Sequence, residues 1–150
     1  MKSILFLAIA TAASAHYTLD YPTSLGFSDD NENIAPCGGF LPNLDGTLVD
    51  FSVSGDWIAI NNHHPESLLH YRVANEDNLT WVELNPIVHQ VGIGKLCIKT
   101  GSAPSDFVGK RGVVQIIGDG HGGALYQVLS LHLNSELTVV STSAFCKFFS

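Results

Sequence analysis

Short runs of β-branched, aromatic and aliphatic residues recur along the chain, separated by Gly, Pro, Asn and Asp. They are Leu48 to Val53, Trp57 to Ile60, Leu68 to Val73, Thr80 to Leu84, Lys95 to Lys99, Gly112 to Ile117, Ala124 to Leu133 and Leu137 to Ser141. Eight runs of this length between turn residues predict an all-β sandwich. A further N-terminal strand, His16 to Tyr21, stops at Pro22, and a loop rich in Gly and Asp follows through Gly39. In "LLHYRV" the alternation puts Leu69, Tyr71 and Val73 on one face and Leu68, His70 and Arg72 on the other, so His70 is expected at the rim of its sheet. No segment sustains a 3.6-residue apolar period for three turns, and the best helical turn, Ser105 to Gly109, follows Pro104. There is no repeat, linker or composition break that would mark a second domain.

The first fifteen residues break this pattern. Lys2, the apolar run Ile4 to Ala10 and the small residues Ala13-Ser14-Ala15 have the layout of a secretory signal peptide. The expected organisation is therefore a signal peptide at 1–15 and a single domain at 16–150, large enough for one real core. Without Lys2 that domain has 6 basic and 14 acidic residues, a net charge of -8 with histidines neutral. Such a balance argues against nucleic acid and anionic membrane as partners. The leader is too short to span a bilayer, and the C-terminal "SAFCKFFS" lacks the spacer and long apolar tail of a lipid-anchor signal. A secreted, extracellular monomer is expected, with Asn78-Leu79-Thr80 as a glycosylation sequon. Three cysteines, Cys37, Cys97 and Cys146, imply one disulfide and one odd thiol in an oxidising compartment, and the sequence leaves the pairing open.

Cleavage after Ala15 would make a histidine the first residue, and that changes its chemistry. The α-amine and ring Nδ1 of a terminal His16 can close a chelate ring on one metal ion, because the amine's ordinary pKa, ~7.7–8.0, lets a metal displace its proton. A further histidine ring completes a flat three-nitrogen site, which suits Cu(II). "NNHHPESL" places His63 and His64 on a loop stiffened by Pro65, where one ring can face the terminus while its neighbour is solvated. The loop "IGDGHGGALY" adds Asp119 and His121, although glycine-rich loops of this kind are ordinarily tight hairpin turns. His132 in the last long strand and His89 after Pro86 are read as structural histidines.

Other chemistries find little support. There is no G-x-S-x-G and no cysteine in a recognisable catalytic setting. Asp29 and Asp30 lie in a hydrophilic loop, where solvation is the default explanation. The glycine-rich loop lacks phosphate-binding patterns and precedes a strand rather than a helix.

His16 directly after the cleavage site, "LDYP" at Leu19 to Pro22, "APCGG" at Ala35 to Gly39, the His64-Pro65 pair and "ALYQ" at Ala124 to Gln127 together resemble the fungal copper acquisition factors. These are small secreted relatives of lytic polysaccharide monooxygenases, and the similarity runs from His16 to about Gln127. The resemblance implies an immunoglobulin-like or fibronectin-like sandwich holding one copper in a histidine brace. Its ligands would be the amine and ring of His16 and the ring of His64, which precedes the proline. Family members tend to add a carboxylate, but Gly122 stands where many carry aspartate. His121 is the preferred local substitute and Asp119 the alternative. Val128 likewise replaces a cysteine usual after "YQ", which accounts for the odd cysteine count.

The function implied is copper acquisition, transfer or homeostasis at the fungal cell surface, with a copper transporter or cell-wall component as partner and no catalytic turnover. Two alternatives stand beside it. A copper-dependent monooxygenase typically carries a Gln-x-Tyr or Gln-x-Phe element, whereas Gln90, Gln115 and Gln127 here precede Gly92, Ile117 and Leu129 at that spacing. A carbohydrate-binding wall protein would present a flat row of exposed aromatics, and Trp57 and Trp81 are instead expected in the core.

Overall fold

The computed structural model describes residues 16–120, 123–135 and Cys146. The expected leader, His121 and the run from Leu137 lie outside these residues. Nine strands are described: β1 Tyr17–Tyr21, β2 Val49–Ser52, β3 Trp57–Asn62, β4 Glu66–Asn75, β5 Val82–Glu83, β6 Val88–Val91, β7 Gly94–Lys99, β8 Arg111–Gly120 and β9 Gly123–Asn134. The turn expected at Ser105 to Gly109 forms as a short 3₁₀ segment, Ser105–Phe107.

The strands build two sheets, giving the expected all-β sandwich. A small sheet runs β1-β3-β7, and a larger one runs β2-β9-β8-β4-β5 with β6 also paired to β4. β2 lies parallel to β9, whereas β8 and β9 form a long antiparallel hairpin. The core is what the two inner faces have in common. Tyr17, Leu19, Ile58 and Ile60 from the small sheet meet Leu69, Tyr71, Val73, Ile116, Leu129 and Leu131 from the large one. Leu69, Tyr71 and Val73 are buried as the alternation in β4 predicts, and half-buried His70 keeps to the opposite face, 4.0 Å from Glu83.

Several elements differ from the sequence reading. The segment "VHQV" forms β6, which the apolar runs did not reveal, because its strand character comes from pairing with β4. Exposed His89 there donates through Nε2 to Glu66 Oε1 at 2.7 Å, across the strand pair. The tryptophans are half-buried rather than core residues, and Trp81 lies beneath the Arg72 guanidinium, 5.2 Å from its centre. Cys97 and Cys146 form the disulfide, with Cα atoms 5.8 Å apart, and Cys37 is a buried free thiol.

The "APCGG" loop docks on the outer face of β9. Cys37 packs with Val113 and Val128, and Leu25 N–H donates to the Val128 carbonyl at 3.0 Å. Gly38 has φ +61°, and a side chain there would collide with the Tyr126 carbonyl, so this close approach of two backbones requires glycine.

Candidate metal centre

One end of the sandwich gathers the residues singled out by the sequence. β1 begins there, the β3–β4 turn carries His63 and His64, and the tip of the β8–β9 hairpin carries Asp119. The contact that joins these parts is the Tyr17 ring, which lies over Gly118; a Cβ on that glycine would come within 2.9 Å of the ring. The Tyr17 hydroxyl donates to the Ile116 carbonyl at 2.7 Å, fixing β1 against β8.

The ladder between β1 and β3 sets the geometry at His16. Tyr17 pairs with Asn62, and the ladder continues outward with His63 N–H donating to the His16 carbonyl at 2.9 Å. In an antiparallel ladder a hydrogen-bonded residue turns both its N and its C=O toward the partner strand. The main-chain nitrogen of His16 therefore lies on the side of the His63–His64 turn.

Asn62 shapes that turn. Its side-chain oxygen accepts the His64 N–H at 3.0 Å, and its amide donates to the His64 carbonyl at 3.3 Å and to the Ser67 hydroxyl at 3.1 Å. This is an Asx-type turn made by a fully buried side chain. It separates the paired histidines: His64 is 7% exposed, whereas His63 is exposed with Nε2 3.3 Å from the Asn61 amide.

The His16 ring is held by the loop that follows β1. Its Nε2 is 3.2 Å from the Asp29 carbonyl, its Nδ1 is 3.5 Å from Asp29 Oδ1, and Phe27 packs edge-on at 6.0 Å. A carbonyl only accepts, so Nε2 carries a proton, and in the neutral ring Nδ1 is then the electron-pair donor, the tautomer that a chelate through the main-chain nitrogen needs. Asp29, assigned to a solvated loop by sequence, thus reaches the site.

Sequence reasoning missed Glu32, because a lone carboxylate in a hydrophilic loop carries no motif. It is only 1% exposed, and Gln127 Nε2 donates to its Oε1 at 3.3 Å. Burial pushes its carboxyl up to about 7, against the opposing pull of the Gln127 bond, the charge of His16 and the Tyr17 N–H.

Among the described residues, no three His, Cys, Asp or Glu side chains stand together as a metal-binding group. A two-histidine brace does not require one, since its third nitrogen is main-chain. The donor set fits copper on chemical grounds: two imidazoles and, after cleavage, an amine are nitrogen ligands suited to tetragonal Cu(II). Asp119 is exposed at the end of β8, paired with Ala124 and Leu68. His70, His89 and His132 engage Glu83, Glu66 and Asp50 instead.

These features define a small β-sandwich with a histidine-bearing end. Residues 14–147 match the family model described as copper acquisition factor BIM1-like, so the chain belongs to that family. It is 32% identical to the copper acquisition factor BIM1 of Cryptococcus neoformans var. grubii, across 89% of this chain and 67% of that protein. The BIM1 of C. neoformans var. neoformans is 30% identical over the same shares, and an uncharacterised protein of Aspergillus fumigatus is 29% identical across 78% of this chain and 53% of its own length. The chain thus spans about two thirds of the first of these relatives and about half of the last.

Proposed function

We propose that this is a secreted, non-catalytic copper-binding protein that takes up or passes on one Cu(II) at the fungal cell surface, through a brace of the His16 amine, the His16 ring and the His64 ring. The observation that carries the reading is the His63–His16 backbone bond, which brings the turn bearing His64 alongside the main-chain nitrogen of His16. The leader-like residues 1–15 support the release of that nitrogen as a free amine. The third ligand is His121, which lies outside the described residues, with Asp119 as the alternative; Tyr17 packs on Gly118 and holds the end of β8 that carries Asp119 beside the first strand. The partner is a surface copper transporter or a wall component.

Copper would supply affinity and a reversible charge here, while the chain supplies the ligands, their tautomer and their spacing. The reading is tested by intact mass spectrometry of the secreted protein with and without Cu(II). A mass beginning at His16 and gaining one copper is expected; a form retaining one extra N-terminal residue should bind far more weakly. Equal affinity in that form rules the brace out. Copper-loaded protein with a reductant should release no oxidised oligosaccharides from chitin or cellulose above free copper, and their appearance would favour the monooxygenase alternative.

A further inference from the structure

Asp29 approaches both nitrogens of the His16 ring, and with different atoms: its carbonyl oxygen lies 3.2 Å from Nε2, and its carboxylate Oδ1 lies 3.5 Å from Nδ1. The first contact is a hydrogen bond; the second is not. An N–H···O bond spans about 2.7–3.2 Å, and with the proton on Nε2 the neutral ring has none to give from Nδ1. Two electron-rich atoms therefore stand 3.5 Å apart with no proton between them.

The main chain holds this arrangement in place. The Ser28 carbonyl accepts the Asn31 N–H at 3.1 Å and the Glu32 N–H at 2.9 Å, closing a turn around Asp29, and the Glu32 carbonyl accepts the Tyr126 N–H at 2.7 Å, tying that turn to β9. Phe27 packs edge-on against the His16 ring from the same loop. The ring is thus fixed by the Asp29 carbonyl and by Phe27, and the carboxylate is not what positions it.

A cation shared between two such atoms turns their repulsion into attraction. Donor atoms lie about 2.0–2.2 Å from a divalent first-row ion such as zinc, so two of them on one ion are roughly 3 Å apart at a right angle and roughly 4 Å apart when opposite. The 3.5 Å between Nδ1 and Oδ1 falls inside that interval. The His16 side chain is 14% exposed and that of Asp29 69%, so the carboxylate is the part of the pair that solvent ions reach first.

We infer that Asp29 Oδ1 is an oxygen ligand of the copper bound by Nδ1 of His16, supplied by the loop after β1 in addition to the ligand from the β8–β9 hairpin. The inference rests on the copper reading above and extends its ligand set. A hard, anionic oxygen suits Cu(II) better than Cu(I).

The test uses the mature secreted protein and three variants. Asp29→Ala deletes Oδ1 but keeps the carbonyl that holds Nε2; Asp29→Asn keeps the volume and removes the charge; Asp30→Ala removes an equal charge from the neighbouring exposed residue. In competition with a chromophoric chelator, Asp29→Ala should bind Cu(II) roughly tenfold more weakly or worse, whereas Asp30→Ala should change affinity by less than about twofold, as a screened surface charge does. The Cu(II) electron paramagnetic resonance spectrum of Asp29→Ala should shift with its nitrogen couplings retained, and electron spin echo measurements in D2O should show a water in the vacated position. Equal effects of Asp29→Ala and Asp30→Ala would overturn ligation in favour of a general field, and so would a spectrum of Asp29→Ala that matches wild type. If Asp29→Ala does not fold, Asp29→Asn decides by the same spectrum. Copper uptake that depends on His64 but not on Asp29 defeats this ligand alone; wild-type protein that takes up no Cu(II) defeats the copper reading and the ligand with it.

Discussion

His63 and His16 are joined by a 2.9 Å backbone hydrogen bond, and it is the backbone of His63, not its ring, that serves the site. The exposed His63 ring turns to Asn61, while the ring of His64 goes inward. Removing the two rings should therefore have unequal effects. His64→Ala should weaken Cu(II) binding by roughly 10- to 100-fold or more, a loss that even outer-shell partners of metal sites produce. His63→Ala should change affinity little, since its backbone bond survives the substitution. Competition with a chromophoric chelator measures both, and equal losses would show that the buried ring is not the ligand.

Asn62 should prove as important to the site as a ligand, although it binds no metal. Asn62→Ala leaves the His64 N–H, the His64 carbonyl and the Ser67 hydroxyl without their buried partner. A cost of about 1–3 kcal/mol in stability is expected from unsatisfied buried groups, together with a loss of Cu(II) affinity as the turn relaxes. Urea denaturation of metal-free protein separates the first effect from the second. A variant with wild-type stability and affinity would refute the role assigned to this turn.

The free thiol of Cys37 packs against Val128 in the same small cluster. Val128→Cys should therefore create a second disulfide, taking the thiol count under denaturing conditions from one to none. Closing a loop of about 90 residues stabilises by up to about 4–5 kcal/mol in the chain-entropy picture, and engineered bridges usually deliver less. Two titratable thiols in the oxidised variant would mean that the pair is not aligned.

The raised carboxyl of Glu32 makes metal-free stability depend on pH. Its folded value of about 7 exceeds the ordinary 4.5, so the native state holds this proton more tightly than the unfolded chain. Below pH 4.5 both states are protonated and there is no penalty. As pH rises from 4.5 through 7 the unfolded state gains by ionising first, and native stability falls by on the order of 3 kcal/mol. Above 7 the loss levels off. Glu32→Gln should lack this component, so its stability relative to wild type should rise between pH 4.5 and 8. Parallel stability profiles for the two proteins would contradict the assignment.

The sandwich was legible in the sequence because its signal is local. Each strand carries its own apolar run or alternation, and Gly, Pro and Asn mark where it ends, so β1 to β5 and β7 to β9 follow from composition and period alone. β6 was not legible, since "VHQV" is ambiguous until β4 supplies its partner. The same division holds at the site. His16 and His64 stand out from their neighbours, Ala15 and Pro65, which are adjacent in the chain. The inward turn of His64 rather than His63 depends on a side chain, Asn62, whose partners are set only when β3 turns into β4. The disulfide needed tertiary structure too, because three cysteines allow three pairings and only proximity selects Cys97 with Cys146. Glu32 lies furthest from what sequence can tell. Its meaning arises from burial beside Gln127, 95 residues later in the chain, and from a carbonyl held by Tyr126, contacts that exist only once β9 has folded against its loop.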